Sequence, residues 1–600
     1  MKILYVFSTI VIFFMFTNAA TPTISYHLAM PNPANHIFEV EMKITNISSD
    51  KNYLDIFLPV WRPGRYVIFD FASGVQKFSV VDENGKSLSW EKIEKSTWRI
   101  EKGKAKTLTI KYTIYANEFS LRTRGLNTEH AFINGAAVFM YAEEYRNLPI
   151  TLTVAPYKTW HVTTGLEEQS KNIFTAPNYD YFVDCPLEIG NQKDFEFIVE
   201  GKKHVLSIFG EGNWNAETLI KDISTIIKTN KEFWGTLPYE RYVFLVHITP
   251  NSGGGTEHIN STIMGTKPLI FKNPAEYTKF LNLVMHEFFH TWNVKQFRPQ
   301  GIQPYNYQKE NYTKELWIAE GITSYYDELL CVRASFISPE KYFSVLTTSV
   351  EEERKSPGNT AQSLTESSYD AWIKFWKNTQ QAYNYETNYY SKGANVSLLL
   401  DLEIRQRSNN KHSLDDVMRA MYQRFPLSGN GYTVDDFQKI AEEFAQGTLQ
   451  EFFTNYVHGT IALPFEKYFS YVGLEINVKD SVNKPSLGIN TKESEGRTKV
   501  TRVITNSPAE KSGIDVDDEI VALNGFRINT STLSQYISEY SAEEKITLTT
   551  FRNDIVQERT VVLENFGVPK YTVQKTSSPT QQQKFLYEYW LDEKWVVEKK

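Results

Sequence analysis

"LNLVMHEFFHTWNV" (281–294) places two histidines four residues apart, with an acid beside the first, in a segment otherwise apolar enough for a core. Read as a helix, four steps turn the chain roughly 400°, so His286 and His290 project from one face and can converge on one cation. Glu287 lies beside them on the rim, within reach of a water held there. The plainer reading is an amphipathic core helix with two hydrogen-bonded histidines, since H-E-x-x-H recurs by chance in long chains. If the metal reading holds, this helix is the centre of a catalytic domain. The choice depends on what the rest of the chain supplies.

A catalytic zinc site needs a third protein ligand and one open position. The candidate is Glu320 in "ELWIAEGITSYYDELL" (315–330). A carboxylate inside an apolar helical stretch is costly unless paired or ligating. Ala319 and Gly321 beside it leave room for a second helix to approach closely. A helix-end acid facing solvent is the competing reading. Asp327 follows two turns later on the same face, where it can accept from a ligating imidazole; an exposed acid reads equally well.

Upstream, residues 21–195 alternate apolar and polar positions in segments such as "HIFEVEMKITNI" (36–47) and "TLTIKYTIYA" (107–116), broken by turns such as "ENGK" and "RPGR". This predicts an N-terminal β-sandwich. Its "WRPGRYVIFDF" (61–71) carries Arg62, Arg65 and Asp70, which read as solvated or structurally paired before any substrate role. The texture changes over residues 196–470. "RYVFLVHIT" (241–249) reads as a buried strand, the glycine-rich "NSGGGTEHINSTI" (251–263) follows, and helical spacing then dominates. Residues 471–566 contain "SPAEKSG" and "DEIVALNG" among short strands, the pattern of a PDZ domain. There "PSLGI" (485–489) stands where backbone N–H groups can hold a peptide C-terminus. A module that packs on its neighbour and binds no peptide fits the same pattern. Residues 567–600 read as a C-terminal tail.

Six hundred residues exceed one core. A 41% apolar and 14% aromatic composition indicates packed globular structure rather than disorder. The formal charge of −7 is spread along the chain without a basic stripe, which argues against nucleic acid as a partner. Residues 1–20 join Lys2, an apolar run to Phe16 and the small residues Thr17, Ala19 and Ala20, which reads as a cleavable export signal, a retained membrane anchor being the competing reading. Export to the periplasm or medium follows, with no membrane span expected after cleavage. Cys185 and Cys331 are too few to build a disulfide framework and read as isolated thiols.

His286-Glu287-x-x-His290 followed by A-E-G at 319–321 resembles the gluzincin arrangement of zinc peptidases. "GGTEH" (254–258) resembles the G-x-M-E-N motif of the aminopeptidase N family, and "YYSKGA" (389–394) that family's Y-x-K-G segment. With "HEFFHTWNVKQFRP", "DLEIR" and a C-terminal PDZ pattern, the chain resembles the glycyl aminopeptidase family of PDZ-containing metallopeptidases over nearly its whole length. The resemblance implies a multidomain α+β protein: β-sandwich, thermolysin-like mostly helical catalytic domain, PDZ domain.

It also implies roles. His286, His290 and Glu320 would bind one Zn2+ per chain, with Asp327 behind them. Glu287 would serve as general base and Tyr390 as oxyanion donor, with Tyr389 and Tyr385 as rivals. Glu257 would hold the substrate's free α-ammonium, and Gly254 and Gly255 would let the chain approach the substrate backbone. Thr256 and His258 depart from the aminopeptidase N motif; Thr256 would then alter the surface beside the first residue. The expected activity is removal of N-terminal glycine or alanine from peptides. An endopeptidase, or a non-catalytic PDZ-containing peptide binder, are the alternatives.

Overall fold

The computed structural model describes residues 21–47, 50–377, 379–480 and 484–596. The export signal expected over residues 1–20 lies outside them. The N-terminal unit is built on a seven-stranded sheet, with a five-stranded and a three-stranded sheet beside it. Strand Thr23–Ala29 runs parallel to Ile150–Ala155 and antiparallel to Ile37–Thr45. The alternation in the sequence becomes two faces: Phe38, Val40, Met42 and Ile44 are buried, while Glu39 and Lys43 between them are exposed.

The catalytic unit opens with a second five-stranded sheet, in the order Lys193–Val199, Lys202–Phe209, Arg241–Ile248, Ser261–Thr266, Gly255–Glu257. The last of these is a short edge strand, antiparallel to its neighbour. Helix Pro274–Phe289 packs against it. Asn273 caps this helix by accepting from the N–H groups of Ala275 and Glu276 at 3.1 and 3.3 Å, and Pro274 occupies the first turn, where no N–H is needed. Helices Ile322–Arg333 and Ser391–Arg407 complete the wall around it. One apolar core runs continuously from the N-terminal sheets through this helical body, whereas the PDZ unit has its own around Val500, Ile520, Leu548 and Val561. Among the described residues no helix is long and apolar enough to cross a membrane.

The reading of residues 567–600 as a tail is corrected. Strand Lys570–Lys575 pairs antiparallel with Leu474–Asp480, and helix Gln581–Leu591 buries Leu586, Tyr587, Trp590 and Leu591 in the catalytic core. Trp590 Nε1 donates to the Tyr325 hydroxyl at 3.0 Å, and Arg333 donates to the Trp590 carbonyl. The PDZ unit is therefore inserted between two strands of the body it follows. It touches that body through Asn384, which donates to the Val503 carbonyl at 2.8 Å and accepts from the Thr505 N–H at 3.1 Å.

Asp480 and Lys570 are direct strand partners. Replacing residues 481–569 by an Asn-Gly turn should therefore close a hairpin and leave the rest of the body folded. Deleting 475–566 removes one strand of that pair and should unfold the body. Circular dichroism melts of both variants check this, and equal stability of the two would refute the insertion.

Candidate active site

His286 stands in the last turn of helix Pro274–Phe289 and His290 at its C-cap. Their Nε2 atoms lie 3.2 Å apart. Glu320 Oε2 is 3.2 Å from His290 Nε2 and 3.7 Å from His286 Nε2. Three ligand atoms held about 2.0–2.1 Å from one tetrahedral zinc stand about 3.3–3.4 Å apart, so the spacing fits such an ion. The tautomers fit as well. His286 Nδ1 faces Asp327 Oδ2 at 2.8 Å and His290 Nδ1 faces the Asn293 carbonyl at 3.0 Å. With both Nδ1–H groups donating to these oxygens, both Nε2 lone pairs point at the same spot as the Glu320 carboxylate, an arrangement a metal cation would satisfy. Asp327 thus sits where an orienting acid is required.

Glu320 is carried by a π-turn, Trp317–Gly321, a rare local winding that concentrates at functional sites. Asn293 ties this turn to the histidine helix. Its amide donates to the carbonyls of Ile318 and Ala319 at 3.0 and 3.1 Å and meets Thr323 Oγ1 at 3.0 Å. Gly321 and Gly393 face each other so closely that a Cβ at either would lie under 3.0 Å from the other's Cα. The small residue beside Glu320 and the glycine of "YYSKGA" therefore serve one close crossing.

Glu287 points to the same cleft. Its Oε2 is buried without a hydrogen-bond partner, and burial raises its pKa although His286 and His290 pull the other way. For Glu320 burial also raises the pKa, but the two imidazoles outweigh it and keep the carboxylate ionised. Gly255 lies directly against Glu287, where a Cβ would collide with the carboxyl, and Gly254 takes a left-handed φ of 73°. Tyr390 lines the cleft, and burial holds its hydroxyl protonated. Of its rivals, Tyr389 accepts from Trp376 Nε1 at 3.1 Å, and Tyr385 is 54% exposed on the surface.

Glu257 lines the same cleft of about 310 Å³. It is walled by the N-terminal unit: a Cβ at Gly64, which has a φ of 82°, would lie 2.6 Å from Glu257 Oε1. The "WRPGR" turn is therefore not a solvated one. Arg62 is 1% exposed and donates to Thr256 Oγ1 at 3.0 Å. Thr256 is spent on that contact and is buried, so the expectation that it shapes the substrate surface is corrected. His258 turns away from the cluster toward Asp184, 3.1 Å away, which also binds the fully buried Lys295 at 2.9 Å.

Sequence reasoning missed Gly64, Arg122, Asn293 and Lys295. The only signal for any of them was proximity of Asn293 and Lys295 to the histidine pair.

A second group, His130, Glu188 and His247, has the same donor types. There His130 Nδ1 is 2.8 Å from Oε1 and His247 Nε2 is 2.6 Å from Oε2. Each carboxylate oxygen has its own imidazole at hydrogen-bond distance, so N–H donation satisfies the group without an ion.

Residues 25–191 match the model of the peptidase M61 N-terminal domain, residues 279–396 that of the M61 glycyl aminopeptidase, and residues 485–563 that of a PDZ domain. Among solved structures, an aminopeptidase N family protein from Idiomarina loihiensis is 27% identical and superposes with a TM-score of 0.87, covering 94% of this chain and 100% of its own. Yeast LTA4 hydrolase in complex with bestatin is 13% identical with a TM-score of 0.46, over 75% of this chain and 69% of its own. An M1 zinc metallopeptidase from Deinococcus radiodurans is 13% identical with a TM-score of 0.45, over 74% and 95%. No curated protein matches the chain significantly.

Proposed function

We propose, for a chain that carries the N-terminal and glycyl aminopeptidase domains of peptidase M61 and is thereby a metallo-aminopeptidase, that it is exported, holds one zinc per chain and releases small N-terminal residues from peptides. Zinc, held by His286, His290 and Glu320, would supply Lewis acidity to the attacking water and the scissile carbonyl. Glu287 takes the proton of that water and returns it to the leaving amine; its raised affinity for a proton suits both steps. Tyr390 donates its hydroxyl hydrogen to the developing oxyanion. Glu257 anchors the α-ammonium, which puts the first peptide bond beside Glu287.

The observation that carries this reading is the closed end at Glu257. The turn around Gly64 stands against that carboxylate, so residues preceding a bound amine would run into it. An endopeptidase needs that space open. The same crowding supports a preference for glycine or alanine at the first position, which a panel of aminoacyl anilides tests; fastest turnover of a bulky residue would contradict it. Export rests on the character of residues 1–20. N-terminal sequencing of protein from the native host should begin near residue 20, and a retained Met1 would exclude cleavage.

The direct test is the amine. Peptides with a free N-terminus should be cleaved, and N-acetylated ones barely at all. Glu257→Ala should lower kcat/KM on free-amine substrates by roughly 10²-fold, since about 3 kcal/mol of lost pairing corresponds to that factor. Its zinc content should be unchanged. Rapid internal cleavage of acetylated peptides by both proteins would make the enzyme an endopeptidase.

A further inference from the structure

One guanidinium group lines this cleft and a second stands close behind it, neither in an ion pair among the described residues. Arg122 lines it, and Arg65 stands behind Trp376, flat over the indole at 3.7 Å. Both are half-buried. Arg122 Nη2 reaches the Gly255 carbonyl at 3.4 Å, and the Nε of each arginine is buried without a hydrogen-bond partner. Among the described residues neither meets a carboxylate at ion-pair distance. Burial and the neighbouring Arg122 guanidinium lower the Arg65 pKa to about 10, so Arg65 stays charged at neutral pH. Two like charges kept together in a water-poor place are stabilised by an anion between them, and the planar guanidinium fork matches a carboxylate.

Direction along the cleft says which carboxylate. Gly255 and Glu257 lie two apart on an edge strand and so face one side. Glu257 holds the amine end. Glu287 sits against Gly255, and Arg122 lies beside Gly254 and Gly255, 3.6 Å from where a Cβ at Gly254 would stand. A peptide anchored at Glu257, with its first amide at Glu287, therefore continues toward Arg122. At about 3.3–3.4 Å per extended residue, its second or third residue arrives there.

We propose that Arg122, backed by Arg65, binds the free α-carboxylate of short peptides on the leaving-group side, which makes di- and tripeptides the preferred substrates. The proposal rests on Glu257 as the amine anchor. It is tested with Ala-Gly-Gly as the free acid, the same peptide as its C-terminal amide, and Ala-Glu-Gly amide, on the wild-type zinc enzyme and on Arg122→Met and Arg65→Met. The wild type should favour acid over amide by about tenfold or more in kcat/KM, the size of one charge-assisted hydrogen bond. Arg122→Met should bring that ratio to about one, chiefly through KM for the acid, and Arg65→Met should reduce it. A purely structural role for the arginines would depress acid and amide alike and leave the ratio standing, which overturns the proposal. A wild-type ratio of one overturns it without any variant. Acid-like rates on Ala-Glu-Gly amide would assign the arginines to an acidic side chain instead and overturn the α-carboxylate reading. Failure of the amine anchor shows separately, as cleavage of N-acetyl-Ala-Gly-Gly.

Discussion

Glu287→Gln is expected to bind zinc like the wild type and to turn over at least about 100-fold more slowly, because a general base typically contributes roughly 10²–10⁴-fold. The substitution preserves shape in a place with no room to spare, between Gly255 and the histidine helix, and removes only the ability to take a proton. The ionisable carboxyl it replaces by a neutral amide is one whose Oε2 is buried with no hydrogen-bond partner. The melting temperature of the metal-free variant should consequently be no lower than that of the metal-free wild type, even as activity collapses. Elemental analysis, steady-state rates and a melt on the same sample check all three. A near-normal rate would show that another group accepts the proton.

The larger loss is expected from His286→Ala and His290→Ala. Each should abolish zinc retention and activity together, because two donors converging on one point no longer hold an ion against dialysis. The fold should survive, since the helix and the π-turn remain bound through Asn293 and through the Gly321–Gly393 crossing. His247→Ala is the matched control. It disturbs the other His-Glu-His group, whose 2.6–2.8 Å contacts are hydrogen bonds, and should leave zinc content untouched. Full zinc occupancy in both His286→Ala and His290→Ala would sink the assignment.

The metal end of this site was legible because its parts obey local rules. Histidines four apart must share a helical face, and an acid in "WIAEGI" must be justified by a partner. A glycine beside it must serve a close approach, here Gly321 against Gly393. The substrate end was not legible. Gly64 and Arg122 come from turns of another domain, and no periodicity reports which turn of a sandwich will lie over which cleft. For the same reason Arg62 and Arg65 read only as solvated or structurally paired, with no partner named, and Thr256 as a surface residue when it is Arg62's acceptor. The final helix is a different case. Leu586, Tyr587, Trp590 and Leu591 already trace a helical apolar stripe in "QQQKFLYEYWL". The signal was present, but a short stripe near a charged terminus did not reveal that the core reaches across the PDZ unit to claim it.

That reach has a kinetic side. Trp590 fills the core beside Tyr325, on the helix whose Asp327 orients His286. Contacts so distant along the chain form late and slowly, after the entropy of a long loop has been overcome. At about 5–20 residues per second, roughly ten to fifty seconds of synthesis separate the metal-binding helices from the segment that seats them. Through that interval the PDZ unit, with its own core, is free to fold first. A chain halted before helix Gln581–Leu591 leaves an apolar hole behind the His286–His290–Glu320 cluster, so the site is seated only after the PDZ unit has been made.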